Sequence, residues 1–217
     1  YSLEGSRAVV NWRGRKQLIA TPLLGRHNLY NILGVIALGV SYGLSLEAAC
    51  KGACACDNIP GRLERVANDL GIHVFVDYSH TPDALEKTLL VLAGLCKGRL
   101  ICVFGCGGDR DRGKRPIMGQ LAGSLAQLAV VTSDNPRTEE PESILDMIEP
   151  GLIAAGMRRS EIAPSQAVEK GQYYRIEDRA AAIGCALKLA RPGDAILIAG
   201  KGHEDYQIVG TEKRHFD

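Results

Sequence analysis

Short, continuous apolar runs alternate along this chain with longer stretches in which apolar residues recur at helical spacing. Leu100 to Phe104 (LICVF) is bounded by glycine and reads as a buried strand. Ile72 to Val76 (IHVFV), residues 128–132 and residues 194–199 repeat that signature. Helical patterns fall between and after them, over 82–96, 115–127, 141–155 and 177–190, with a short strand near Ile162. Pro82 suits a first helical turn, with Thr81 as its cap. Regular alternation of strand and helix predicts an α/β fold, a Rossmann-like, mostly parallel sheet with helices on both faces. The first sixty residues differ. RAVVNW and RKQLIA flank Gly14 as a strand pair, and residues 25–43 read as a buried helix with Leu29, Ile32, Leu33 and Ile36 at helical spacing. A second helix opens at Ser45 and runs to about Cys56, before Asn58-Ile-Pro-Gly61 breaks it. The boundary is therefore placed near Gly61, giving segments 1–61 and 62–217.

Composition narrows the function classes. The 217 residues carry a net charge of +1, so no polyanion-binding surface is implied and no nucleic-acid partner is expected. No apolar run reaches the ~18 residues of a membrane span, and no signal peptide is visible. Seven cysteines without a C-x-x-C pair, three of them (Cys50, Cys54, Cys56) in an alanine-rich helical stretch, read as small buried thiols in a reducing cytoplasm. Five histidines without H-x-x-x-H spacing make no zinc site. Because the chain opens on Tyr1 and its first strand pair lies too near the terminus for a domain of its own, a fragment of a longer protein is expected.

Chemistry gathers where the predicted strands end. DYSHTPD at 77–83, GCGGDRDRGKR at 105–115, SDNPRTEE at 133–140 and GKGHEDYQ at 200–207 each follow a strand. In a parallel sheet these ends lie along one edge, the usual ligand edge of open α/β sheets. Two stock motifs fail there. Gly108 to Arg115 spells G-x-x-x-x-G-K-R, with Arg115 where a P-loop needs a hydroxyl for Mg²⁺, and the dinucleotide fingerprint begun at Gly105 ends on Arg110. Alternating Asp109, Arg110, Asp111 and Arg112 suits a zwitterionic ligand, or else is a solvated loop. Arg137 on a proline-pinned loop makes a planar receptor for a carboxylate, and Glu204 can meet an ammonium. Lys201 reads equally as a surface charge or a ligand group, while His80 and His203 read as hydrogen-bonded scaffold, in the absence of a nearby nucleophile pattern. Asn28 and Asn31 share a helix face; Asn28 serves as a cap, leaving Asn31 a polar residue in an apolar helix that wants a partner.

DYSHTPDALE, FGCGGDRDRGKRPIMG, TSDNPRTEEP and AGKGHEDYQ together resemble the Mur ligases, over residues 21–217, and among them the members that add diaminopimelate. The resemblance implies an ATP-dependent amide ligase of peptidoglycan synthesis. ATP phosphorylates a carboxylate of UDP-MurNAc-L-Ala-D-Glu, and the amine of meso-diaminopimelate displaces phosphate. It also implies Mg²⁺, a cytoplasmic monomer, and no catalytic residue or metal ligand within this chain, since the family's central P-loop is not found in it. Residues 1–61 would end the central ATP-binding domain and 62–217 form the amino-acid-binding domain. Carried over by position, Asn28, Asn31, Arg62 and Asp77 match residues on the ATP side. Arg110, Asp134, Asn135, Pro136, Arg137, Gly200 and Glu204 match residues around the amino acid, with Tyr78, His80, Lys114 and His203 in support. Two other classes stay open: a non-catalytic amino-acid-binding module, and a folylpolyglutamate synthetase-like ligase.

Overall fold

The computed structural model describes residues 1–161 and 170–216, so the strand expected near Ile162 lies outside the described residues. The chain divides into two compact units, Tyr1–Ile59 and Pro60–Asp217. In the first, strands β1 (Ser6–Trp12) and β2 (Arg15–Thr21) pair antiparallel across a turn in which Arg13 and Gly14 both take positive φ. Such a turn matches the twist of its strands. Helices α1 (Arg26–Ser41) and α2 (Leu46–Cys54) follow, α2 capped by the Ser45 hydroxyl, which accepts the Ala48 N–H. Val10, Ile19, Leu23, Ile32, Ile36, Leu46, Ala49 and Cys50 form the core of this unit.

Helix α1 corrects the expectation of a buried helix. Its buried stripe holds Asn28, Ile32 and Ile36, while Leu33 is 39% exposed and Tyr30, Val35 and Leu38 more so. Its apolar residues run round the whole helix, and only one stripe meets the unit's own core. Asn28 is buried inside the helix and its Nδ2 donates to the Leu24 carbonyl at 2.8 Å; it is not the cap, a position taken by Gly25. Asn31 is exposed, not a polar residue in an apolar interior.

The second unit contains β3 (Glu64–Val66), β4 (His73–Asp77), α3 (Pro82–Leu95), β5 (Leu100–Phe104), α4 (Lys114–Leu125), β6 (Leu128–Val131), α5 (Pro141–Ala154), β7 (Arg158–Arg159), β8 (Gln172–Arg175), α6 (Arg179–Leu189) and β9 (Ala195–Ala199). It closes with an antiparallel hairpin, β10 (Tyr206–Val209) and β11 (Glu212–His215). The seven described strands of the main sheet lie in the order β3-β4-β9-β5-β6-β8-β7, all parallel except the β3–β4 pair. Successive side chains alternate between faces. Ile101, Val103, Leu128, Val130 and Ile196 pack on Ala182, Cys185, Ala186 and Leu189 of α6. Leu100, Cys102 and Phe104 therefore point to the opposite face, where α3, α4 and α5 pack side by side. Each fully buried Leu, Ile or Val there contributes roughly 1.5–3 kcal/mol. Central strands β5 and β6 are buried at every position, as the unbroken apolar runs predict. All seven cysteines are free, and burial pushes the Cys106 thiol up to about 12. Among the described residues, no helix is long and apolar enough to cross a membrane.

Candidate functional site

The strand order sets β4, β9, β5 and β6 side by side, so the four polar clusters leave the sheet at one edge. They enclose a cavity of about 710 Å³. Of the residues singled out from the sequence, Tyr78, His80, Arg110, Lys114, Asp134, Asn135, Arg137, Gly200 and Glu204 line it. Thr81, Pro82, Gly107, Asp111, Gly113 and Ile117 complete the wall. Both signs of charge face it, three cations (Arg110, Lys114, Arg137) and three anions (Asp111, Asp134, Glu204).

The loop after β6 carries Asp134, Asn135 and Arg137 and is held from two sides. Arg137 sits in the left-handed region at φ 54, an uncommon place for a side-chain-bearing residue. The β10–β11 hairpin holds it there: the Arg137 N–H donates to the Ile208 carbonyl at 3.0 Å, and the Gly210 N–H donates to the Arg137 carbonyl at 2.7 Å. Its guanidinium Nη1 donates to the Gly108 carbonyl at 2.8 Å. The loop after β5 closes the other side. A Cβ on Gly108 would lie 1.8 Å from the Pro136 carbonyl oxygen, and one on Gly105 2.1 Å from that of Thr132. The glycines of this loop therefore serve close approach of two loops.

Half of the six charges of the 105–115 loop serve that junction. Arg115 is fully buried; it donates to both Glu139 oxygens at 2.8 and 3.0 Å and to the Gly107 carbonyl at 3.1 Å. Glu139 also accepts the Asp109 N–H at 2.7 Å and pairs with Arg112 at 3.2 Å. Hydrogen bonding from Arg115 holds the Glu139 carboxyl at about 2. The Asp109 carboxylate accepts from the Thr138 N–H and hydroxyl, which lower its pKa. The zwitterion reading of alternating charge thus narrows: Arg110 and Asp111 reach the cavity, whereas Asp109 and Arg112 serve the junction.

Glu204 lies on the loop after β9. Its Oε2 accepts from Asn135 Nδ2 at 3.2 Å and its Oε1 from the Tyr78 hydroxyl at 3.4 Å. Burial, then the Glu204 charge, raise the Tyr78 pKa. The rings of His80 and His203 lie 4.6 and 5.7 Å from that of Tyr78, and the Arg62 guanidinium stands 5.1 Å over it. His203 and Arg62 thus support Tyr78 and do not line the cavity. Lys114 Nζ donates to the His80 carbonyl at 2.7 Å, which ties α4 to the loop after β4. Pro136 faces a separate cavity of about 440 Å³ behind the loop. Asp77 is buried: its Oδ2 accepts the Leu63 N–H at 2.8 Å, and its Oδ1 bonds the Ser79 hydroxyl and, at 3.3 Å, that of Thr88. Both its oxygens are engaged within the fold.

Besides Arg115, two further cations are buried. Lys201 is 4% exposed, so the surface-charge reading does not hold. Burial lowers its pKa while Asp134 and Glu204 oppose that shift. Arg179, at the start of α6, is 2% exposed and donates Nη2 to the Ala199 carbonyl. Among the described residues no group of three or more His, Cys, Asp or Glu side chains is arranged to hold a metal ion.

Comparison with known proteins agrees with this geometry. Residues 61–202 match the family model described as Mur ligase, glutamate ligase domain. The chain is 54% identical over 197 residues to the UDP-N-acetylmuramoyl-L-alanyl-D-glutamate–2,6-diaminopimelate ligase of Geobacter metallireducens, covering 90% of this chain and 38% of that protein. The protein of the same name from Gloeobacter violaceus is 47% identical over the whole chain, which spans 42% of its length. A solved structure of such a ligase superposes with a TM-score of 0.68 at 36% identity, over 100% of this chain and 42% of that one. A folylpolyglutamate synthase from Thermotoga maritima shares the fold alone, with a TM-score of 0.63 at 19% identity over 91% of this chain and 44% of that one. With residues 61–202 matched, the chain belongs to the Mur ligase family.

Proposed function

We propose that this chain is the amino-acid-receiving part of an ATP-dependent amide ligase that joins meso-diaminopimelate to UDP-MurNAc-L-Ala-D-Glu in the cytoplasm, acting as a monomer. The observation that carries the reading is the cavity with Arg137 and Arg110 set against Glu204 and Asp134. Diaminopimelate has two carboxylates and two ammoniums, and a site for it must offer both charges in complementary places. The names of relatives about half identical to this chain support the same amino acid.

In this reading Arg137 holds the distal carboxylate, and Arg110 lies at the rim for a second acidic group. Glu204, steadied by Tyr78 and Asn135, takes an ammonium. Gly200, at φ 117 beside Asp134, lets the backbone approach the ligand. ATP, with Mg²⁺, supplies the phosphoryl group that turns the acceptor carboxylate into an acyl phosphate. The part of this chain is to fix the attacking amine in one orientation and keep it there. Arg62, which is exposed, and Asp77, whose oxygens are engaged within the fold, are the ATP-side residues of this unit. Residues 1–61 belong to the ATP-binding domain and carry Asn28 and Asn31, of which Asn31 is free to face a nucleotide. The triphosphate and Mg²⁺ are held mainly outside this chain.

The test is product formation by the full-length protein carrying this chain. ATP, UDP-MurNAc-L-Ala-D-Glu and meso-diaminopimelate together should give one phosphate per amide bond formed, and leaving out any one should reduce release to background. Turnover with a folate acceptor and glutamate instead would assign the folylpolyglutamate class. Binding of diaminopimelate without turnover would leave a binding module.

A further inference from the structure

Lys201 has no part in the reading above, and its surroundings are unusual for a lysine. The ammonium is buried beneath the cavity floor, donating to Asn135 Oδ1 at 2.9 Å and to the Tyr206 carbonyl at 2.5 Å. It lies 3.5 Å from Asp134 Oδ1 and 3.8 Å from Glu204 Oε2. Arg179 is the second cation near these carboxylates. A buried lysine is rare unless paired, because burying its charge is costly.

The Asn135 amide explains what the charge achieves. Its Oδ1 meets two groups that can only donate here, the Lys201 ammonium and the Ile208 N–H at 2.9 Å. An amide nitrogen cannot occupy that place. The oxygen is therefore forced inward, and Nδ2 is forced toward Glu204 Oε2. With Oε2 so engaged, the other oxygen of Glu204 stays with the Tyr78 hydroxyl on the cavity side.

We infer that Lys201 is a positioning residue: by fixing the Asn135 amide it orients Glu204 toward the ligand ammonium, and through Tyr206 it ties that loop to the β10–β11 hairpin. The consequence for the amino acid rests on the function proposed above, whereas the consequence for the Asn135 amide does not. Lys201 touches neither the ligand nor the reacting atoms; it acts through Asn135.

Three variants of the full-length protein test this. Lys201→Met keeps the length and apolar stem and removes the donor. It should raise KM for meso-diaminopimelate by about tenfold or more, as loss of a charge-assisted bond does, and leave KM for ATP within about twofold. Asn135→Ala should be non-additive with it, since both act through one amide. Hydrogen exchange at the Ile208 N–H, which needs no ligand, should quicken in Lys201→Met. Asn135→Asp keeps both inward acceptor bonds and loses the donor to Glu204, so Ile208 should stay protected while KM for the amino acid still rises. Should Lys201→Met fail to fold, Lys201→Leu takes its place, with the same quickened exchange expected at Ile208. Unchanged Ile208 exchange in Lys201→Met, additive effects, or an unchanged amino-acid KM in Asn135→Asp would overturn the inference. If the unmodified protein does not use diaminopimelate, the proposed function falls, and Ile208 exchange still decides the part of Lys201.

Discussion

Arg137→Ala is expected to erase the preference for meso-diaminopimelate over lysine, lowering kcat/KM for diaminopimelate by about thirtyfold to several thousandfold. The two amino acids differ by one carboxylate on the distal carbon. Arg137 Nη1 is already held by the Gly108 carbonyl, and Nε and Nη2 carry no hydrogen bond among the described residues. The free edge is the one that binds a carboxylate with two parallel N–H bonds. Lysine in the site leaves this fork desolvated and unpaired, at a cost of roughly 2–5 kcal/mol by analogy with broken charge pairs. At about 1.4 kcal/mol per decade this gives the quoted range. Arg137→Lys should not restore the preference, because a point charge cannot reproduce the fork. The assay is kcat/KM for both amino acids in the full-length protein. An Arg137→Ala protein that keeps its full preference would remove Arg137 from the site.

The largest stability effect is expected at Glu139, which faces no ligand. Glu139→Ala leaves the fully buried Arg115 guanidinium without its carboxylate and frees the Asp109 N–H and Arg112 at once. Removing one partner of a buried pair costs about 3–5 kcal/mol. For a unit of this size that lowers Tm by about 10 °C. The acid branch carries a second signature. The folded carboxyl is held at about 2, against an ordinary 4.5, so its contribution is fully present above the ordinary value and is lost as pH falls toward about 2. Melting curves of the parent and Glu139→Ala should therefore differ most at neutral pH and converge in acid. Parallel curves, or a neutral-pH Tm within about 2 °C of the parent, would show that the junction does not depend on this pair.

These two residues illustrate what the sequence made legible. Continuous apolar runs marked the central strands, and the polar clusters after them marked the ligand edge, because burial on both faces and loop chemistry both leave local signatures. Strands β3, β8, β10 and β11 left none. They are short: β3 ends the sheet, β10 and β11 lie outside it, β8 is placed by its pairing with β6 and β7, and β11 is exposed throughout. The hairpin that secures Arg137 thus went unread. Lys201, Arg115 and Arg179 are buried although Lys and Arg usually lie at the surface, and only their tertiary partners show why. The 105–108 glycines signalled an unusual backbone, but only the packed Pro136 loop shows what they make room for.

In the proposed function the strand-end cavity receives diaminopimelate with its distal carboxylate on Arg137. This placement is tested most directly by determining the structure of the full-length protein with meso-diaminopimelate bound. The account predicts a distal carboxylate within about 3 Å of Arg137 Nε and Nη2 and an ammonium at similar distance from Glu204. Diaminopimelate bound outside this cavity, or inside it with neither carboxylate on Arg137, would contradict it.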